Sequence, residues 1–121
     1  MSEPGRGARS GVLWHVVVTV AGPGVDAREV RAGLERLCAE RAFLLSCQYA
    51  VDRAELSYWE EADDLDDAAA LALRLWGEHR ASARLPAWHV VGLEVLDRDT
   101  FYWRAANERG VDLMPMGVRP F

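Results

Sequence analysis

Apolar positions along the chain switch between a period of two and a period near 3.6, and the switches mark the elements. LWHVVVTV, Leu13 to Val20, is rich in β-branched residues and ends at turn formers, which predicts a strand. It is apolar at nearly every position, as a strand covered on both faces would be. Its two parities are Val12, Trp14, Val16, Val18, Val20 and the more polar Leu13, His15, Val17, Thr19. The first is assigned to the core. After AGPGVD the period lengthens. Val30, Leu34, Leu37 and Cys38 make one helical stripe, with Asp26 as N-cap and Glu29 completing a capping box.

Phe43 to Val51 reads as a second strand, with Ser46 and Gln48 on its polar parity. Asp52-Arg53 makes a hairpin turn, and Ala54 to Glu60 a third strand: Ala54, Leu56 and Tyr58 point inward, Glu55, Ser57 and Trp59 outward. The acidic run Glu60 to Asp67 supplies a loop and a helix start, where acids complement the dipole. That reading outweighs a cation site. Asp64 caps a second helix whose stripe is Leu65, Ala68, Leu71, Ala72, Leu75 and Trp76. Trp88 to Leu96 is a fourth strand, with His89, Val91, Leu93 and Val95 expected inward and Trp88, Val90, Gly92 and Glu94 outward.

The order β-α-β-β-α-β resembles the ferredoxin-like split βαβ arrangement, an α+β fold. That resemblance implies a four-stranded antiparallel sheet in the order 4-1-3-2. Right-handed crossovers would put two helices on one face and leave the other open. Residues 12–97 form this domain. Residues 1–11 are a disordered arm, and 98–121 a C-terminal extension. There Asp97 or Asp99 caps a short helix carrying Phe101 and Ala105, followed by a tail that is either an extended arm packed on the domain or a partner, or a frayed end.

Composition narrows the function without naming it. A length of 121 residues fits one domain with its own core. The net charge of −5 argues against non-specific nucleic-acid binding. Arginine without lysine, among much alanine and glycine, is the coding habit of a GC-rich, actinobacterial-type genome. MSEPGRGARSG has no apolar core for a signal peptide, and no run approaches the roughly 20 apolar residues of a membrane span. A cytoplasmic protein is expected, with Cys38 and Cys47 as reduced, buried thiols unless the fold brings them together. Three scattered histidines suggest no metal site, and nothing suggests a cofactor.

Candidate chemistry falls on the open sheet face and on one loop. The expected face carries Leu13, His15, Val17, Thr19, Ser46, Gln48, Glu55, Ser57, Trp59, Trp88, Val90 and Glu94. Antiparallel pairing would bring His15, Trp59 and Glu94 together, and a histidine oriented by a carboxylate is a general base. The competing reading covers the face, either by a second copy or by the C-terminal segment, with Trp59, Trp88, Gln48 and Thr19 in contact, and either covering can coexist with a small-molecule pocket. Gly22-Pro23-Gly24 stands before a helix N-terminus, where backbone N–H groups can meet an anion. It carries no dinucleotide or P-loop signature and reads mainly as punctuation. A strand, a Pro-Gly turn and a helix also resemble the first unit of ACT domains, which bind amino acids at subunit interfaces. The resemblance would make Gly22, Pro23, Gly24 and Val25 a ligand loop. It spans only Val12 to Glu40, and the C-terminal extension departs from it.

Two functions lead as expectations, and as a third the tail residues Leu113 to Phe121 would dock into another protein. One is a homodimerising binding or regulatory module that uses the open face. The other is a small enzyme of the dimeric α/β-barrel type, with His15 and Glu94 as base and orienter and Trp59 as a wall.

Overall fold

The computed structural model describes residues 11–41, 44–107 and 117–121, and the side chains of Leu44 and Leu45 are left aside. The expected N-terminal arm and the middle of the tail lie outside the described residues. The elements are β1 (Val12–Ala21), α1 (Ala27–Glu40), β2 (Leu44–Ala50), β3 (Arg53–Ala62), α2 (Leu65–His79), β4 (His89–Asp97), α3 (Arg98–Asn107) and β5 (Gly117–Pro120).

One sheet runs in the order β4-β1-β3-β2-β5. Each neighbouring pair among its first four strands is antiparallel, in the order 4-1-3-2. The expected four-stranded antiparallel sheet needs correcting at one edge. β5 adds to β2 in parallel, pairing Ser46 with Gly117 and Gln48 with Arg119, so the sheet is mixed and has five strands. The cause is in the tail. Once a β2 edge is free, its unpaired N–H and C=O groups recruit whatever extended segment reaches them. Phe121 continues the attachment, its N–H donating to the Tyr49 carbonyl at 2.9 Å.

Local chemistry sets the helices. Asp26 caps α1, accepting from the Arg28 N–H at 2.7 Å; the Glu29 N–H goes instead to the Asp26 carbonyl, so the expected capping box is replaced by a simple cap. Asp64 caps α2 through the Asp67 N–H at 2.8 Å. The α1 stripe buries Val30, Leu34 and Leu37, and the α2 stripe Ala68, Ala72, Leu75 and Trp76. Both pack on Val16, Val18, Val20, Leu56 and Tyr58 of the sheet, all fully buried.

β4 departs from its expected parity. Thr19 faces Gly92, yet Val20 faces Val90, so Val91 is an extra residue in the strand. One inserted residue sends everything before it to the other face. Trp88, expected on the open face, is therefore buried on the helix side and stacks on Trp76 at 6.0 Å between ring centroids. Val90 likewise packs against the core. His89, expected inward, opposes Ala21 and is exposed.

Candidate functional site

The sheet face away from α1 and α2 is neither open nor uniform. At one end β1 places His15 directly opposite Trp59 of β3 and Leu96 of β4. The expected convergence of His15 and Trp59 is present, with ring centroids 5.1 Å apart, edge to face. α3 lies over this end. Asp97 caps it, accepting from the Thr100 N–H at 2.7 Å, and Phe101 then drops onto the pair, 4.3 Å from the His15 ring and 5.1 Å from Trp59. Tyr102 stacks on Trp59 at 6.2 Å. The result is an aromatic box closed by the helix.

His15 is 6% exposed inside this box. Its Nε2 has no hydrogen-bond partner among the described residues. Burial pushes its pKa below the ordinary histidine value, and the nearby Glu94 charge opposes that shift only partly. The ring is thus held neutral at neutral pH. Glu94 shares the face, one step along from His15 and opposite Val17. Its carboxylate is engaged by Arg104 of α3 at 2.9 Å, a half-exposed ion pair that ties the helix to β4. The expected base-and-orienter pair shares a face, but the observed carboxylate partner is the guanidinium.

The middle of the face is polar. Thr19 opposes Glu55 and Gly92, Gln48 opposes Glu55, and Ser46 opposes Ser57. Thr19 and Gln48 therefore lie where expected, on the face but outside the aromatic box. Gly92 sits under Thr19: a Cβ there would come within 3.3 Å of the threonine Cβ.

The GPG loop is held by its surroundings. The Gly22 N–H donates to the Asp52 carbonyl at 3.1 Å and the Val25 N–H to the Val51 carbonyl at 2.9 Å. Trp88 Nε1 donates to the Pro23 carbonyl at 2.8 Å. A Cβ on Gly22 would fall 2.4 Å from Trp88 Cδ1, so the first glycine admits the indole. Gly24 has room for a side chain, its nearest neighbour being the Val51 carbonyl at 3.7 Å. The loop serves as a joint between β1, the β2–β3 turn and Trp88, and two of its N–H groups are already spent on carbonyls.

Two depressions flank these features. One, of about 490 Å³, runs beside α1 and is lined by Arg28, Arg36, Arg84 and Glu29 over Val25, Leu85 and Pro86. Arg36 is used structurally there, donating to the Ala83 and Arg84 carbonyls at 2.7 and 3.4 Å. The other, of about 570 Å³, lies where β1 begins and α3 starts, between Leu13, Trp14 and Asp97 to Asp99. His79 lies elsewhere, its Nδ1 2.7 Å from Glu40 Oε1, which also accepts from Ser82 Oγ at 2.7 Å. This clamp joins the ends of α1 and α2.

Sequence reasoning did not assign Phe101, Tyr102 and Arg104 to the site. The available signal was the Phe101 and Ala105 spacing, which announces a helix but not the surface beneath it. No helix among the described residues is long and apolar enough to cross a membrane. No curated protein matches the chain. A family model does, over residues 13–112, from the start of β1 to beyond α3, and the chain therefore belongs to the domain of unknown function DUF8830.

Proposed function

We propose that the chain is a ferredoxin-like, cytoplasmic binding module that homodimerises on the α3 side of its sheet. The observation that carries this reading is the division of labour on α3. Phe101 turns inward to the aromatic box, while Tyr102 and Trp103 stand 52% and 65% exposed, and Leu13 at the adjoining end of β1 is 41% exposed. Neighbouring aromatics left in water on a helix that has already covered its sheet are the composition of an interface core. An uncharged aromatic patch is also self-complementary, as a two-fold dimer requires. The second copy would extend the roof that α3 begins over the sheet.

Sedimentation at micromolar concentration tests it. The expected mass is twice the 13.5 kDa of the chain, and Trp103→Glu should return a folded monomer. A wild-type chain that sediments as a monomer at that concentration overturns the proposal.

A second reading, a small enzyme with His15 as general base, has one observation in its favour: a buried imidazole nitrogen with no partner among the described residues. Against it, Arg104 holds the carboxylate that would orient the ring. If His15 were such a base, Glu94→Gln would move the pH midpoint of its reactivity toward diethyl pyrocarbonate downward; an unchanged midpoint removes this reading.

A further inference from the structure

Cys38 lies on the α1 stripe and Cys47 in the middle of β2, nine residues apart in sequence, and their Sγ atoms are 3.8 Å apart. Both are free thiols. Cys47 is fully buried, flanked across the sheet by Leu56 of β3 and Val118 of β5. Cys38 is partly exposed at the edge of the same cluster. The packing of α1 on β2 is what brings them together, since a helix residue and a strand residue at this separation have no local reason to meet.

We propose that Cys38 and Cys47 form a peroxide-driven disulfide that staples α1 to β2, with Cys38 as the attacking thiol and Cys47 as the resolving one. A disulfide needs an S–S distance of about 2.05 Å. The remaining closure of under about 2 Å is within the swing of a side-chain rotation on a fixed backbone. Exposure assigns the roles, because the oxidant can reach Cys38 and not Cys47. The contact between the thiols assigns them the same way. The hydrogen bond from Cys47 holds the Cys38 pKa below the ordinary thiol value, while that bond and burial push Cys47 up.

The chemistry balances with hydrogen peroxide as oxidant. The Cys38 thiolate attacks one peroxide oxygen and the O–O bond breaks. The departing hydroxide takes up the thiol's proton as water, and Cys38 is left as a sulfenic acid. Cys47 Sγ then attacks Cys38 Sγ and the S–O bond breaks. The leaving hydroxyl takes the Cys47 proton as a second water. Two thiols lose two electrons, and one peroxide becomes two waters. The product links a core helix to the strand that carries β5, and a thiol reductant reverses it.

The test uses the full chain, folded, with one to two equivalents of hydrogen peroxide, quenched in denaturant with iodoacetamide and weighed intact. The expected product is a monomeric chain lighter by two hydrogens, carrying no alkyl groups, and regaining two after dithiothreitol. Its melting temperature should exceed that of the reduced protein by on the order of 5 °C or more, as a short closed loop predicts. In Cys47→Ala the sulfenic acid on Cys38 should persist and be captured by dimedone, whereas Cys38→Ala should resist peroxide. The proposal is overturned if the folded wild-type chain still takes up two alkyl groups. It is equally overturned if the bridge forms only in urea, or if the product is linked between chains.

Discussion

The two faces of the sheet are built by different rules. On the α1 and α2 side, long amphipathic helices meet a strand parity that is uniformly apolar, and Val16, Val18, Val20, Leu34 and Leu37 reach zero exposure. On the other side, one short helix covers only the aromatic end, no residue of α3 is buried, and the middle stays polar. The first face holds the fold together. The second is attached to it by a box of rings and one ion pair, and the lower burial makes it the side that can open or be shared. In small domains such weakly buried elements open locally well before the whole structure does.

Truncations on the two sides should separate these roles. Leu34→Ala removes a fully buried side chain that both helix and sheet enclose, and should destabilise by about 2–5 kcal/mol, read as a fall in the urea midpoint. A loss below about 1 kcal/mol would mean that the helix face is not the stabilising one. Gly22→Ala should come next, by about 1–3 kcal/mol, because the new methyl overlaps the Trp88 indole that closes the helix-side core. Phe101→Ala, on a partly buried ring, should lose about 1–2 kcal/mol, less than a fully buried phenylalanine would. Its effect should also be local: amide exchange should accelerate in residues 98–107 while β1 and β3 stay protected. Uniform acceleration would erase the distinction between the faces.

The same contrast decides what could be read from the residues. Element order through β4, the parity of β1 and β3, and the Asp26 and Asp64 caps follow from local periodicity and cap chemistry, while the 4-1-3-2 arrangement of the first four strands comes from the resemblance that this element order carries. His15 and Trp59 meet because antiparallel register alone puts them opposite each other. What failed was non-local. The extra residue at Val91 leaves no mark in a run of valines, yet it carries Trp88 into the core and His89 out. The addition of β5 to β2 rests on a pairing between distant segments, which the local period of either one does not encode. The grasp of Arg104 on Glu94 required knowing which surface α3 covers.

The smallest expected effect is a pH dependence that belongs to the second face alone. His15 is held neutral by burial, so its folded-state pKa lies below its unfolded value of about 6.5. Between those two values the unfolded chain binds the proton and the folded chain does not, so stability falls as pH falls. The contribution is complete above about pH 6.5 and drains away below it. Glu40, Asp26 and Asp97 have carboxyls held below their ordinary values by hydrogen bonds, chiefly from His79, Arg28 and Thr100 respectively. Their contributions disappear only in the acid range below the ordinary carboxylate pKa, which keeps the two windows apart. Between pH 7.5 and 5.5 the wild-type melting temperature should fall more than that of His15→Phe, which fills the same box without a titrating nitrogen. Arg104→Ala should shrink the wild-type slope as well, because a Glu94 freed from its guanidinium stabilises the imidazolium and lifts the His15 pKa back toward its unfolded value. An unchanged slope in both variants would place the neutral-range pH sensitivity outside the aromatic box, on a histidine of the other face or of the surface.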